Sequence, residues 1–450
     1  MKIHFIAIGG SAMHNLAIAL AIKGYTITGS DDEIFEPSRS RLLKYGLLPS
    51  EIGWFPEKIN LDLDAIVLGM HAKADNPELN RAQQLGIKIY SYPEFLYEQS
   101  KTKKRVVIGG SHGKTTITSM ILHVLQQIGI ETDYMVGAQL EGFEVMVKLS
   151  ETADWMVMEG DEYLTSPIDR VPKFLHYHPH IAVISGIGWD HVNVFPTFEN
   201  YVDQFRQFIN SIEIGGCLIY DYSDPHVLSL AMETKIRSFG YEMHPFKAEG
   251  LKSIVRNSSG KKIELLVFGQ HNMLNMNAAR LVCAEMGVAD HDFYLAMQSF
   301  KGASRRLELI FANDSVNLFR DFAHAPSKVL ASVGAVRKQF VEKYFVACLE
   351  LHTFSSLSEV FIDQYNETLH QADFAIVMYD PHAVALKRLP EISHDRIRKA
   401  FGRDDLVIVS DQNQLLHNLH TQSWGNTVGL FMSSGNFNGF DFKDFTDKIK

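Results

Sequence analysis

Apolar runs of strand length recur from one end of the chain to the other, among them KIHFIAI, DAIVLGM, VVIGG, HIAVIS, KYFVACLEL, DFAIVMY, DLVIVS and TVGLFM. Most break on Gly, Asp, His or Ser and run on into a stretch of helical composition. A buried strand, a tight turn and a helix, restarted many times, is the pattern of parallel α/β sheets. At roughly 100 to 200 residues per domain, a chain of 450 residues divides into two to four such bodies. The breaks in the pattern predict three. The first covers 1–100 and ends near Gln99-Ser100, where the charged stretch KTKKR begins. The second covers 101–301, opening on VVIGGSHGKTT and closing around FGQHNMLNMNAARLVCAEMG and the helix after it. The third starts near Gly302 and runs through 302–450.

Composition narrows the partners. Forty-three Lys+Arg against 53 Asp+Glu leave a formal charge of −10, and none of the three segments is net basic. A general nucleic-acid binder or a protein of anionic membrane surfaces carries a basic stripe, so neither partner is expected. No apolar run reaches the ~18 residues needed to cross a bilayer. The N-terminal MKIHFIAIGG reads as a strand entering a glycine turn, without the small-residue cleavage site of a secretory signal. Cys217, Cys283 and Cys348 lie far apart, each in an apolar run, as in proteins of a reducing compartment. A cytoplasmic protein is the expectation.

The strongest chemical signal is VVIGGSHGKTTITSMILHVL at 106–125. A buried strand, a glycine-rich turn and a helix cradle phosphate, because backbone N–H groups and the positive end of the helix face the anion. In such a turn Gly110, Ser111, His112 and Gly113 line the phosphates, Lys114 reaches the β and γ groups, and Thr115 with Thr116 opens the helix. The spacing departs from the strict G-x-x-x-x-G-K-[ST] form, since Ile108 stands five residues before Gly113. Two acidic strand ends follow: Glu159, Asp161 and Glu162 after ADWMVM, and Asp190 with His191 after HIAVISGIG. Ligands of open α/β sheets collect outside the carboxyl ends of strands, and oxygen donors there suit Mg²⁺.

These segments together resemble the Mur ligases, which form amide bonds with ATP. IAIGGSAM is similar to the family's UDP-binding turn, GGSHGKTT to its G-T-H-G-K-T-T loop, MEGDE to its E-A-D-E and GWDHVNVF to its D-H segment. GQHNMLNMNAA resembles its adenine-contacting H-N-x-x-N helix, SRR at Ser304 to Arg306 its G-x-x-R-R, and RDFAHAP its D-D-F-A-H-H-P. The motifs keep the family's order over the whole chain. The resemblance implies a Rossmann-like first domain for UDP-sugar, a P-loop ATPase-like middle domain with a mostly parallel sheet, and a Rossmann-like last domain for the incoming amine. It also implies ATP and Mg²⁺. Lys114, His191 and Arg306 become the catalytic cations or metal holders, with Thr115, Glu159 and His191 on metal. His271, Asn272 and Asn275 fall at adenine, Asp321 at ribose and His324 near the nucleotide. Which of Arg305 and Arg306 touches phosphate stays open.

The best match within the family is its muramate branch, whose members join UDP-N-acetylmuramate to L-alanine or to the recycled tripeptide L-alanyl-γ-D-glutamyl-meso-diaminopimelate. DEYLTSPIDRVPKFLHYHP and FMSSGNFNG favour the tripeptide. No lysine occurs between Lys173 and Lys235, so the carbamoylated lysine that some relatives place downstream of His191 is absent. In the first domain the chain has Gly9-Gly10 rather than G-x-G-x-x-G, which argues for a UDP diphosphate on the helix N-terminus over a nicotinamide cofactor. Gly10, Ser11, Ala12 and Met13 would face the diphosphate, Asp31 the uridine, and His71 with Asn76 the sugar. The third domain departs from the family. Where both branch members carry an arginine after a central strand, this chain reads Glu350-Leu351-His352-Thr353-Phe354-Ser355. His352 and Ser355 are the remaining candidates for the amine substrate, and Ala325 replaces the second histidine of H-H-P. These losses keep a second expectation open, a non-catalytic descendant that binds UDP-sugar and nucleotide.

Overall fold

The computed structural model describes residues 1–137, 143, 145–189 and 194–449. The architecture is α/β with mostly parallel sheets. Two compact units are distinguished: one made of Met1–Met243 and Leu274–Met297, the other of His244–Met273 and Gln298–Lys450.

The first unit holds two sheets. One is four-stranded and wholly parallel, in the order Thr26–Ser30, Lys2–Ile6, Ala65–Leu68, Ile89–Ser91. Ile3, Phe5 and Ile6 are completely buried, as expected of strands covered on both faces. The other has seven strands, in the order Arg237–Tyr241, Cys217–Asp221, Ile181–Ile184, Lys104–Gly109, Trp155–Glu159, Thr132–Met135, Val147–Lys148; only the last pairs antiparallel. Its middle strand, Lys104–Gly109, has Trp155–Glu159 on one side and Ile181–Ile184 on the other. The chain leaves the middle strand, builds one flank and then crosses to the opposite one. This reversal opens a crevice at the carboxyl end of Lys104–Gly109, where ligands of such sheets bind.

The second unit contains a six-stranded sheet, ordered Glu308–Ala312, Val316–Asp321, Thr427–Met432, Tyr344–Leu351, Phe374–Tyr379, Val407–Val409, parallel except at its first strand. Phe345, Leu349, Val377, Leu430 and Met432 belong to its core. A small antiparallel sheet, Phe246–Glu249, Lys252–Arg256 and Lys262–Leu265, precedes it. The strands expected from the apolar runs are present. The small sheet was not among them: Phe246–Glu249 is largely exposed, the other two strands alternate exposed and buried residues, and all three carry little continuous apolar sequence. Among the described residues, no helix is long and apolar enough to cross a membrane.

Candidate active site

The strand Lys104–Gly109 ends in the turn that opens the helix Lys114–Gln127. Two glycines make that turn possible. Gly110 has φ +121° and a Cβ there would lie 2.5 Å from the Ser185 hydroxyl; Gly113 has φ +76° and its Cβ would lie 2.3 Å from Asn275 Oδ1. L-residues are strained in this region, and here the space is taken as well. Ser111 seals the turn from beneath. Its hydroxyl donates to Gly188 O at 2.9 Å, accepts from Gly188 N at 2.8 Å and lies 3.0 Å from the Tyr201 hydroxyl. His112 is exposed at the turn, and Thr116 is buried in the first helical turn.

Lys114 lies at the first helical position. Its Nζ donates to Gly110 O and to Glu162 Oε2, both at 2.7 Å. Glu162 is 2% exposed, and its other oxygen accepts from Tyr201 at 3.0 Å. Burial alone would depress the lysine pKa, but the facing carboxylates, Glu162 first, then Asp161 and Glu159, outweigh it and hold it above the ordinary value. The ammonium therefore stays charged throughout the working pH range. Asp161 behaves conversely: burial pushes it up, yet Lys173 at 2.6 Å and Lys114 bring it below the usual aspartate value. Thr115 donates from Oγ1 to Glu159 Oε1 at 2.9 Å, and Gly137 N donates to Oε2 at 2.9 Å. A hydroxyl and a carboxylate side by side are hard oxygen donors, a set that fits Mg²⁺. Asp190 and His191 lie outside the described residues.

The first sheet carries a second, different turn. Gly10 precedes the helix Ser11–Ile22 without a side-chain cap. Ser11 and Ala12 are exposed and Met13 is buried. Beneath the turn, Asp31 Oδ2 accepts from Gly9 N at 2.7 Å and Oδ1 from Asp32 N at 3.0 Å. Burial of this carboxyl raises its pKa to about 6 against the pull of the Gly9 bond. His71 is exposed in the turn after Ala65–Leu68. Asn76 is buried, and its Oδ1 caps the helix Pro77–Leu85 by accepting from Glu78 N and Leu79 N.

The helix Gln270–Glu285 carries His271, Asn272 and Asn275. Asn275 belongs to the first unit, against Gly113. His271 and Asn272 belong to the second, where Asn272 donates to Phe268 O at 2.7 Å. Burial lowers the His271 pKa, Asp321 raising and Arg306 lowering it further, so the ring is neutral at pH 7. Asp321 is buried at the end of its strand and accepts from Leu307 N at 2.7 Å and Ala323 N at 2.6 Å. His324 Nδ1 lies 2.8 Å from Phe322 O. Both arginines lie over the Phe322 ring, Arg305 at 5.4 Å and Arg306 at 4.7 Å. Arg305 also donates to Gly435 O and lies 3.5 Å from Ser433 O, whereas the Arg306 side chain donates to Arg305 O at 3.4 Å.

At the neighbouring strand ends of the second unit, Glu350 is 3% exposed. It accepts from the Ser433 hydroxyl and from Phe437 N at 2.8 Å. His352 stands half-exposed beside it, Nδ1 3.8 Å from Glu350 Oε1. Ser355 is exposed in the following turn. Sequence reasoning placed neither Glu350 nor Ser433 in the site, nor Tyr201 beside the phosphate turn. A charged residue inside the apolar run YFVACLEL was the available signal for Glu350.

Residues 108–283 match the Mur ligase middle domain and residues 2–104 the domain described as the Mur ligase family catalytic domain. The UDP-N-acetylmuramate–L-alanine ligase of Sulfurihydrogenibium is 32% identical over 384 residues, 84% of this chain and 82% of that protein. The chain belongs to the Mur ligase family. It is therefore an ATP-dependent amide-bond-forming ligase of peptidoglycan synthesis. A second relative is the UDP-N-acetylmuramate–L-alanyl-γ-D-glutamyl-meso-2,6-diaminoheptandioate ligase of Haemophilus influenzae, 27% identical over all of this chain and 99% of that one. Among solved structures, the UDP-N-acetylmuramate-alanine ligase of Thermotoga maritima superposes with a TM-score of 0.73 over all of this chain and 98% of that one at 21% identity, a likeness of fold.

Proposed function

We propose that this Mur ligase joins UDP-N-acetylmuramate to the tripeptide L-alanyl-γ-D-glutamyl-meso-diaminopimelate, as in peptidoglycan recycling. The observation that carries the reading of the ATP side is the buried pair of Lys114 and Glu162 at the mouth of the glycine turn. A carboxylate accepts an amine poorly. ATP converts it to an acyl phosphate, the amine attacks, and phosphate leaves through a tetrahedral intermediate. Both steps concentrate negative charge, and cations fixed in advance around that charge contribute most to catalysis of this kind. Lys114 meets the β and γ phosphates, while Gly110 to Gly113 and the first turn of the helix, through Thr116, offer N–H groups. Thr115 and Glu159, with His191, would hold Mg²⁺, which when bound neutralises phosphate oxygens.

We assign Arg306 to phosphate in preference to Arg305, since Arg305 is committed to the carbonyls after Thr427–Met432. His271, Asn272 and Asn275 serve the adenine, Asp321 and His324 the rest of the nucleoside. Gly10, Ser11, Ala12 and Met13 take the UDP diphosphate, with Asp31, His71 and Asn76 toward the uridine and sugar. The division of labour follows 1–100 for UDP-sugar, 101–301 for ATP and 302–450 for the amine. His352 and Ser355 face the amine substrate. The buried Glu350 beside them suits an ammonium group, and the loop FMSSGNFNG that contacts it resembles the tripeptide branch.

A second reading takes L-alanine as the amine, favoured by the Sulfurihydrogenibium relative. ADP release with ATP, Mg²⁺ and UDP-N-acetylmuramate separates the two. Turnover with tripeptide at a kcat/KM well above that with L-alanine is expected; turnover with L-alanine alone would overturn the preferred substrate.

A further inference from the structure

Glu94, Asp169 and His176 come from three separated stretches of the first unit, and one potential ligand atom from each lies within 4.8 Å of the other two. None belongs to the phosphate turn or to the turn at Gly10. We propose that they form a binding site for a divalent transition-metal ion, zinc-like in its ligand set. One imidazole and two carboxylates make a softer, nitrogen-containing set than Mg²⁺ or Ca²⁺ prefer and match zinc or its spectroscopic stand-in cobalt. Two anions and a neutral imidazole also balance a dipositive charge.

The local geometry supports a shared cation better than a simple ion pair. His176 Nε2 lies 3.0 Å from Asp169 Oδ2, yet that nitrogen, sealed from solvent, has no partner in hydrogen-bond geometry. The ring nitrogen is thus directed beside the oxygen. With both metal–ligand bonds near ~2.1 Å, donors 3.0 Å apart place the ion about 45° off the line joining them, the misdirection that defeats a hydrogen bond.

The carboxylates are already oriented. Asp169 Oδ1 accepts from Val171 N at 3.0 Å, leaving Oδ2 toward the histidine. Glu94 Oε2 accepts from the Ser91 backbone and hydroxyl, both at 2.7 Å, as the glutamate of a capping box at the third position of the helix Tyr92–Ser100. Outer bonds of this kind orient ligands in metal sites. Glu94 and His176 also line a cavity of about 280 Å³ with Lys88, Tyr90, Glu98 and His178, so a fourth coordination position has room for water or a small ligand. His176 ends the turn Lys173–His176, whose Lys173 pairs with Asp161. Metal here ties the helix Tyr92–Ser100 to the segment behind the phosphate turn.

The test uses the full chain stripped with chelator and titrated with Co²⁺ and Zn²⁺. Expected are a visible Co²⁺ absorption band with ring-nitrogen coordination, saturating at one equivalent, and a rise in melting temperature with one equivalent of Zn²⁺. Both persist in Thr115→Ala, which alters the Mg²⁺ position, and are lost in His176→Ala. Glu94→Gln guards against a folding defect, since glutamine also completes a capping box; it should weaken Co²⁺ binding by about tenfold or more at an unchanged metal-free melting temperature. Absence of the band, or equal affinities in the unsubstituted chain and Glu94→Gln, would overturn the proposal. Loss of the band in Thr115→Ala alone would assign the metal to the phosphate turn and equally refute it.

Discussion

The two glycine turns of the first unit lie at the ends of buried parallel strands and open helices, yet they treat charge in opposite ways. The turn at Gly9-Gly10 has a buried aspartate beneath it, holding Gly9 N and Asp32 N. The turn at Gly109–Gly110 leads to a lysine held between a carbonyl and a buried glutamate. Backbone N–H groups suffice to retain a phosphate whose charge does not change. A phosphate that is transferred needs a fixed cation where new charge develops. In the proposed function the first turn serves binding and the second chemistry.

Removing the lysine should break the contrast most severely. Lys114→Ala is expected to lower kcat/KM by at least about 10³-fold, some 4 kcal/mol of transition-state stabilisation, while calorimetric affinity for the UDP-sugar stays within about twofold. Equal loss of both in a folded variant would show that the turns do not divide the work. Next comes Gly113→Ala. Left-handed strain and the collision with Asn275 should together cost about 2 to 3 kcal/mol of stability, read by urea denaturation. Adding Asn275→Ala should recover the collision but not the strain, so the double variant falls between the single one and the parent.

The smallest effect belongs to Asp31. Its folded pKa, about 6, lies above the ordinary aspartate value, so the folded chain binds the extra proton. Stability from this group is present below pH ~4 and is lost as pH rises toward ~6. Asp31→Asn should flatten the fall in melting temperature across that window and leave the region above pH 7 nearly level. An unchanged slope would show that the carboxyl titrates normally.

The uneven legibility of the molecule follows the same division between local and distant. Lys2–Ile6, Lys104–Gly109 and Thr427–Met432 are near-continuous apolar runs because both faces are covered, and such runs announce themselves. Gly110 and Gly113 are legible since the backbone demands them. The partners are not. Glu162 stands 48 residues from Lys114 and reads only as one of several acids after a strand. Tyr201, which holds Glu162 in place, is one of the apolar-face residues of the helix Phe198–Asn210. Glu350 and Ser433 meet only because the sheet inserts Thr427–Met432 between Val316–Asp321 and Tyr344–Leu351, an order no local period encodes. Phe246–Glu249 and its two partners stayed hidden for a simpler reason, being half-exposed and mostly polar.

The pairing of Lys114 with Glu162 also bears on turnover. With Nζ already bonded to Gly110 O and Glu162, a nucleotide bound as proposed would exchange one strong partner for another. Its affinity would then reflect the difference between two attractions, with Glu162 placed to pair with the lysine again once the phosphate leaves. A cradle arranged in this way keeps its cation ordered when no nucleotide is present.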